Sequence, residues 1–281
     1  MERLFDCAAV ALGSEPLANA FVIPMCPVCG EATKLILPMP ETLGGPRLVT
    51  RACACLRAEL AAEDAEREAK MAADRVRDLR RKGLASAGYA DCTFTSDDGR
   101  DAAMRRTCKR YVDKRAEVFS KNLGMILTGE PGCGKTFWAA AIANAIIDSG
   151  TGVLMTTLPQ MIAEMTSDYN DRRDEVLGRI RTVPFLILDD VGFERNTSFQ
   201  REKAFEVIDE RYRAKKPLIA TTNLTKAELE KPADVGCARV YSRMLEMCPA
   251  VIEVRGKRRE IIAREKLDLM REIMREDIGD E

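Results

Sequence analysis

The sequence predicts an α/β fold: a parallel sheet with helices on both faces. Three observations carry that prediction. Five short apolar segments, at 123–128, 152–157, 184–189, 217–222 and 250–254, read as buried strands. Helical stretches at 135–148, 158–168, 171–181 and 199–215 fill the intervals, an alternation that favours parallel pairing. A glycine-rich turn joins the first of these strands to the first of these helices, as a phosphate-binding βα unit requires.

The 281 residues suffice for one large core and a smaller module. Charge is nearly balanced, with 44 Lys and Arg against 45 Asp and Glu, which excludes a polycationic coat but not a local basic groove. Histidine is absent, so Ser-His-Asp catalysis, Cys-His catalysis and His-ligated metals are excluded. The apolar run at 7–12 is too short, and its flank too acidic, for a secretory signal. No stretch approaches about 20 apolar residues, the length that spans a bilayer. The expectation is a cytoplasmic chain with no membrane partner and with its 10 cysteines reduced.

Residues 1–55 are expected to form a cysteine module of loop-dominated character. Cys26 and Cys29 form a Cys-x-x-Cys pair, and Cys53 and Cys55 a Cys-x-Cys pair, with 23 residues between the two pairs. Four thiolates suit tetrahedral Zn²⁺. An iron–sulfur cluster also takes four cysteines, but no redox motif accompanies these. Cys7, Cys92, Cys108, Cys133, Cys237 and Cys248 lack ligand spacing and are expected to be free thiols. Residues 56–88 follow as a charged helical linker. Between Leu56 and Lys82 there is no Gly or Pro, and 15 of 27 residues are charged, acids early and bases late, the order a helix dipole favours. Gly83 ends it.

Residues 89–260 hold the nucleotide chemistry. Gly129, Glu130, Pro131, Gly132, Cys133, Gly134, Lys135 and Thr136 fit G-x-x-x-x-G-K-[ST], with Phe137 opening the helix behind it. Glycine lets backbone N–H groups curl round phosphate oxygens, and the helix N-terminus adds positive potential. Lys135 is placed for the β/γ-phosphates, and the Thr136 hydroxyl for Mg²⁺. At 185–190, four apolar residues precede Asp189 and Asp190, so a buried strand delivers two carboxylates to its C-terminal edge. Asp189 would hold Mg²⁺ and Asp190 would act as base toward an attacking water. Together these imply nucleotide hydrolysis. Asn223 ends the strand at 217–222, either to orient that water or to cap a helix at 224–229. Arg239 and Arg243 lie four apart on one helical face, where an arginine can reach a neighbour's nucleotide or simply pair on the surface. Residues 261–281 form a charged helical tail.

These residues resemble the helicase-loader branch of the AAA+ ATPases, the DnaC/DnaI family, with its IstB-like transposition-helper relatives. The resemblance runs from about Gly88 to Glu260 and includes the lead-in from Tyr89 to Phe94 before the first strand. Asp189-Asp190 replaces the Asp-Glu of most AAA+ proteins. Asn223 looks like the family's first sensor, Arg239 and Arg243 like its conserved arginines, with Arg243 as the finger. The run from Gly256 to Arg259 is similar to the second sensor but one residue shorter, so Arg258 and Arg259 both stand as candidates.

The resemblance implies a five-stranded sheet in 5-1-4-3-2 order and ATP at subunit contacts, hence self-association. It implies assembly with a hexameric replicative helicase, binding of single-stranded DNA, and an N-terminal module that grips the helicase. The alternatives are a transposition helper on duplex DNA and an adaptor that binds nucleotide without turnover. The basic clusters at 105–110, 172–173 and 255–259 are flanked by acids and single out no DNA-contacting residue.

Overall fold

The computed structural model describes residues 23–167, 171–192, 197–232, 234–256 and 258–276. The chain divides into two compact units, Met1–Met71 and Ala72–Glu281. Cys7 lies outside the described residues.

The first unit is more regular than a loop-dominated module. Strands β1 (Lys34–Leu37) and β2 (Arg47–Thr50) pair antiparallel, with Leu35 opposite Val49. Four-residue strands hidden between prolines and glycines leave little periodicity to read, which is why the hairpin was not expected. Cys26 and Cys29 lie on a tight turn before it, closed by Gly30 N donating to Cys26 O at 2.9 Å. Cys53 and Cys55 follow β2, at the start of helix α1 (Ala54–Gly83). That helix has the dipole-matched charge order expected and carries i,i+3 and i,i+4 ion pairs, among them Arg67–Asp64 at 3.1 Å and Lys82–Asp78 at 2.6 Å. The boundary between the units falls inside it.

In the second unit α1 ends where glycine is needed. A Cβ on Gly83 would stand 2.1 Å from the Val153 carbonyl oxygen, so only glycine lets the helix end meet the sheet edge. The short turn α2 (Ala87–Ala90) and helices α3 (Ala102–Asp113) and α4 (Arg115–Ser120) then lead into the core. Asp101 caps α3, accepting from Met104 N at 2.9 Å. The core proper runs β3 (Met125–Thr128), α5 (Lys135–Asp148), β4 (Val153–Thr157), α6 (Leu158–Thr166), α7 (Asp171–Thr182), β5 (Phe185–Asp189), α8 (Ser198–Arg213) and β6 (Leu218–Thr222). It closes with α9 (Lys226–Glu230), α10 (Val235–Met247), β7 (Ala250–Glu253) and α11 (Arg258–Glu276).

The sheet is wholly parallel, in the order β4-β5-β6-β3-β7. Counted within the core and read from β7, that is the expected 5-1-4-3-2. Alternate residues supply its two faces. Met125, Leu127, Phe185 and Ile187 pack with α5, whereas Ile126, Leu186 and Leu188 pack with α6, α7, α8 and α10. Helix α5 is buried almost all round, and its run of alanines is what permits so close an approach to the sheet. Because β5, β6 and β3 are neighbours, the residues that follow their C-terminal ends meet at one edge.

The strand starts are tied by Arg211, which is 0% exposed. Its guanidinium donates to the carbonyls of Ile180, Val183, Pro184 and Pro217, joining the end of α7 to the lead-ins of β5 and β6. Burial pulls its pKa down to about 9, which still leaves it charged at neutral pH. Arg211→Met would strand those carbonyls, and a loss of at least about 1–3 kcal/mol is expected. Urea unfolding checks it, and a midpoint within error of wild type would show that the carbonyls find other partners. Among the described residues no helix is long and apolar enough to cross a membrane.

Candidate functional site

The loop after β3 winds round an open concavity. Gly129, Gly132 and Gly134 all have positive φ, at +144°, +85° and +108°. At Gly129 a Cβ would come within 2.5 Å of the Val254 carbonyl oxygen, so conformation and space both demand glycine. Gly132, Gly134, Lys135, Thr136, Arg258 and Ile262 line a cavity of about 270 Å³. Lys135 is buried, and its Nζ donates to the carbonyls of Gly129 and Glu130 at 2.8 and 2.9 Å. The ammonium is thus held inside the loop, where an anion would find it. Cys133 and Phe137 are buried against the core.

Asp189 ends β5 and is 6% exposed. Its Oδ1 accepts from the hydroxyls of Thr136 at 2.9 Å and Thr221 at 2.7 Å, and its Oδ2 from Tyr89 at 3.1 Å. Thr221 and Tyr89 were not singled out as site residues from the sequence. A buried threonine at the end of an apolar strand is a readable signal; the Tyr89 contact, 100 residues away in the chain, is not. Burial first, then the Asp189 charge, pushes the Tyr89 pKa upward, so the hydroxyl stays a donor.

Asp190 adopts φ +53°, a left-handed conformation that Asp tolerates better than most residues. Strand β6 holds it there. The Asp190 N–H donates to Thr221 Oγ1 at 2.8 Å, and the Val191 N–H to Thr221 O at 2.7 Å. Asn223 Nδ2 donates to Asp190 Oδ1 at 3.2 Å. The helix expected at 224–229 begins at Lys226 and is capped by Thr225, so Asn223 does not cap it and faces the carboxylate instead.

The candidate arginines are spread more widely. The Arg258 guanidinium lies over the Phe137 ring, 3.5 Å from its centroid, and 3.5 Å from Asp98 Oδ2. The side chain of Arg259 lies outside the described residues. Arg243, on α10, pairs with Asp209 of α8 and lies over the rings of Phe205 and Tyr212, at 4.8 and 5.1 Å. Arg239, on the same helix, is exposed. Neither of these two lines the cavity. Each basic cluster has an arginine paired within the chain, Arg105 with Asp97, Arg173 with Glu206 and Arg255 with Glu253.

In the first unit the sulfurs of Cys26, Cys29, Cys53 and Cys55 lie within 4.8 Å of one another. Backbone N–H groups of Cys55 and Glu31 bring the Cys29 thiol down to about 6, while bonds with Cys53, Cys26 and Cys29 push Cys55 up to about 12. Sulfurs so close cannot all ionise without a cation among them, so the set fits a thiolate-bound metal.

A sequence model of the family described as IstB-like ATP binding protein matches residues 55–256. The replicative helicase loader DnaI of Bacillus subtilis is 30% identical over 180 residues, covering 59% of this chain and 58% of its own. The replicative helicase loader DnaC of Escherichia coli is 26% identical over 164 residues, covering 56% of this chain and 64% of its own. The chain therefore spans less than two thirds of the length of either relative. A crystal structure of the DnaC helicase loader superposes with a TM-score of 0.50 over 60% of this chain and all of that one, at 24% identity. That likeness is one of fold, the AAA+ arrangement of five parallel strands.

Proposed function

The chain belongs to the IstB-like ATP-binding protein family, and from that premise we propose that it is an ATP-hydrolysing loader of a hexameric replicative DNA helicase. The observation that carries the reading is the convergence of Lys135, Thr136, Asp189 and Asp190 on one sheet edge, in a chain whose relatives are named helicase loaders.

In this reading Gly129, Glu130, Pro131, Gly132, Cys133, Gly134 and Phe137 shape the phosphate cradle, and Lys135 neutralises the β/γ-phosphates. The oxygens of Thr136 and Asp189, 2.9 Å apart, form a hard donor set that fits Mg²⁺. The ion, when bound, supplies positive charge to the phosphate oxygens. Asp190 takes the proton of the attacking water, and Asn223, bonded to its Oδ1, keeps that oxygen facing the water. Arg258 or Arg259 reports on the γ-phosphate. Arg243, with Arg239 beside it, reaches a neighbouring subunit's nucleotide, which makes turnover depend on self-association. Residues 89–260 are then the ATPase and 261–281 its tail, carried on a spacer at 56–88. Single-stranded DNA is the track onto which the helicase is delivered.

Residues 1–55 are the helicase-gripping module, held by Zn²⁺ on Cys26, Cys29, Cys53 and Cys55. Metal binding at such sites contributes about 10–16 kcal/mol, more than a segment this small gains from its core. Prolonged chelation should release about one zinc per chain and abolish helicase binding, while nucleotide binding persists. Helicase binding by fully demetallated protein would contradict the module's role.

The reading is tested by presenting the protein, with ATP and Mg²⁺, to single-stranded and duplex DNA in the presence and absence of a replicative helicase. A loader places helicase on single strands. Nucleotide-dependent filaments on duplex DNA, indifferent to helicase, would overturn the reading in favour of a transposition helper.

A further inference from the structure

We propose that Tyr89 is a positioning residue of the nucleotide site: its hydroxyl fixes the Asp189 carboxylate for the divalent cation. The inference rests on the reading of Asp189 as a Mg²⁺-holding group.

A carboxylate turns easily about its last bond, because that torsion is broad. At Asp189 the turn is blocked from both sides. Thr136 and Thr221 hold Oδ1, and among the described residues Tyr89 alone donates to Oδ2. Those two threonines are anchored by a helix and a strand of the core, but Tyr89 sits on the four-residue turn α2, outside the sheet. Its position is set by a different device. Asn144, 1% exposed on the phosphate-loop helix α5, donates Nδ2 to the carbonyls of Tyr89 at 2.7 Å and Cys92 at 2.8 Å. Its Oδ1 accepts from Arg80 Nε of α1 at 3.1 Å.

A buried amide is costly unless its bonds are made. This one makes them to α1 and to the segment carrying Tyr89. The orientation of Asp189 is thereby tied to the chain that precedes the first core strand. A tyrosine that merely packed would need neither the hydroxyl aimed at Oδ2 nor a buried amide gripping its own carbonyl.

The test is Tyr89→Phe in the full-length protein, which removes one oxygen and keeps the ring. Nucleotide affinity is measured with and without Mg²⁺, through the fluorescence of Trp138, the chain's single tryptophan, which packs edge-on against Phe137. Melting temperature, kcat and KM are measured alongside. Affinity without Mg²⁺ should stay within about twofold of wild type. The Mg²⁺ concentration for half-saturation should rise about tenfold, the size of one hydrogen bond to a charged group, and kcat should fall by a similar factor with little change in KM.

A lowered melting temperature with an unmoved Mg²⁺ midpoint would overturn the proposal, leaving Tyr89 a packing residue. If wild-type protein itself turns over no ATP, the ATPase reading fails separately, and the Mg²⁺ dependence of nucleotide affinity still decides the role of Tyr89.

Discussion

Asp190→Asn is expected to leave ATP bound and to slow its hydrolysis by about 10²–10⁴-fold, the usual contribution of a general base. The substitution is close to a pure change of chemistry. Asparagine tolerates the left-handed φ of +53° as aspartate does, so the turn after β5 keeps its shape. The backbone bond from residue 190 to Thr221 Oγ1 does not involve the side chain and survives. What disappears is the proton acceptor, whose Oδ1 is held by Asn223 Nδ2. Phosphate release and equilibrium nucleotide binding, measured on the same preparation, check both halves of the expectation. Turnover near wild type would remove Asp190 from the mechanism. Equal and negligible rates for both proteins would favour an adaptor that binds nucleotide without consuming it.

Arg243→Ala is expected to show its effect only in the assembled protein, where turnover should fall by about 10³–10⁵-fold, the range for an arginine finger. In the single chain Arg243 is occupied, paired with Asp209 and lying over Phe205 and Tyr212. A finger must exchange those contacts for a neighbour's phosphate. The exchange is feasible because Asp209 keeps a second partner, Arg213, at 2.8 Å. The variant should therefore fold and bind ATP as an isolated chain. Turnover measured against protein concentration gives the decisive comparison: wild type should accelerate as subunits meet, and the variant should not. Equal acceleration in both would assign Arg243 to its contacts with α8 alone, and Arg239, exposed one helical turn earlier, would be the next residue to test.

The fold was legible because its signals are local. Each core strand is an apolar run of a few residues, and the observed strands fall inside the predicted ranges, trimmed by one or two residues. The phosphate loop is a contiguous motif, and its glycines have the positive φ that the motif exists to accommodate. Helices α3 and α4 were not predicted, since their faces are narrow and their charged residues dominate the pattern.

What surrounds Asp189 was only half visible. Thr136 could be paired with it from spacing, but Tyr89 reaches it across 100 residues and Thr221 across 32. Such contacts depend on the order of strands in the sheet, which no single stretch of sequence states. Arg211 is the clearest case. On paper it is one more charge near the end of a charged helix, and only the fold turns it into a fully buried clasp on four carbonyls.

In the proposed function this chain works by assembling with a replicative helicase. Native mass measurement of the full-length protein mixed with its hexameric replicative helicase, with ATP and Mg²⁺ present, tests it most directly. The account predicts a complex in which several copies of this chain ride on one helicase hexamer, lost when zinc is stripped from the cysteine module. A helicase hexamer and this protein flying separately, with ATP demonstrably bound, would contradict it.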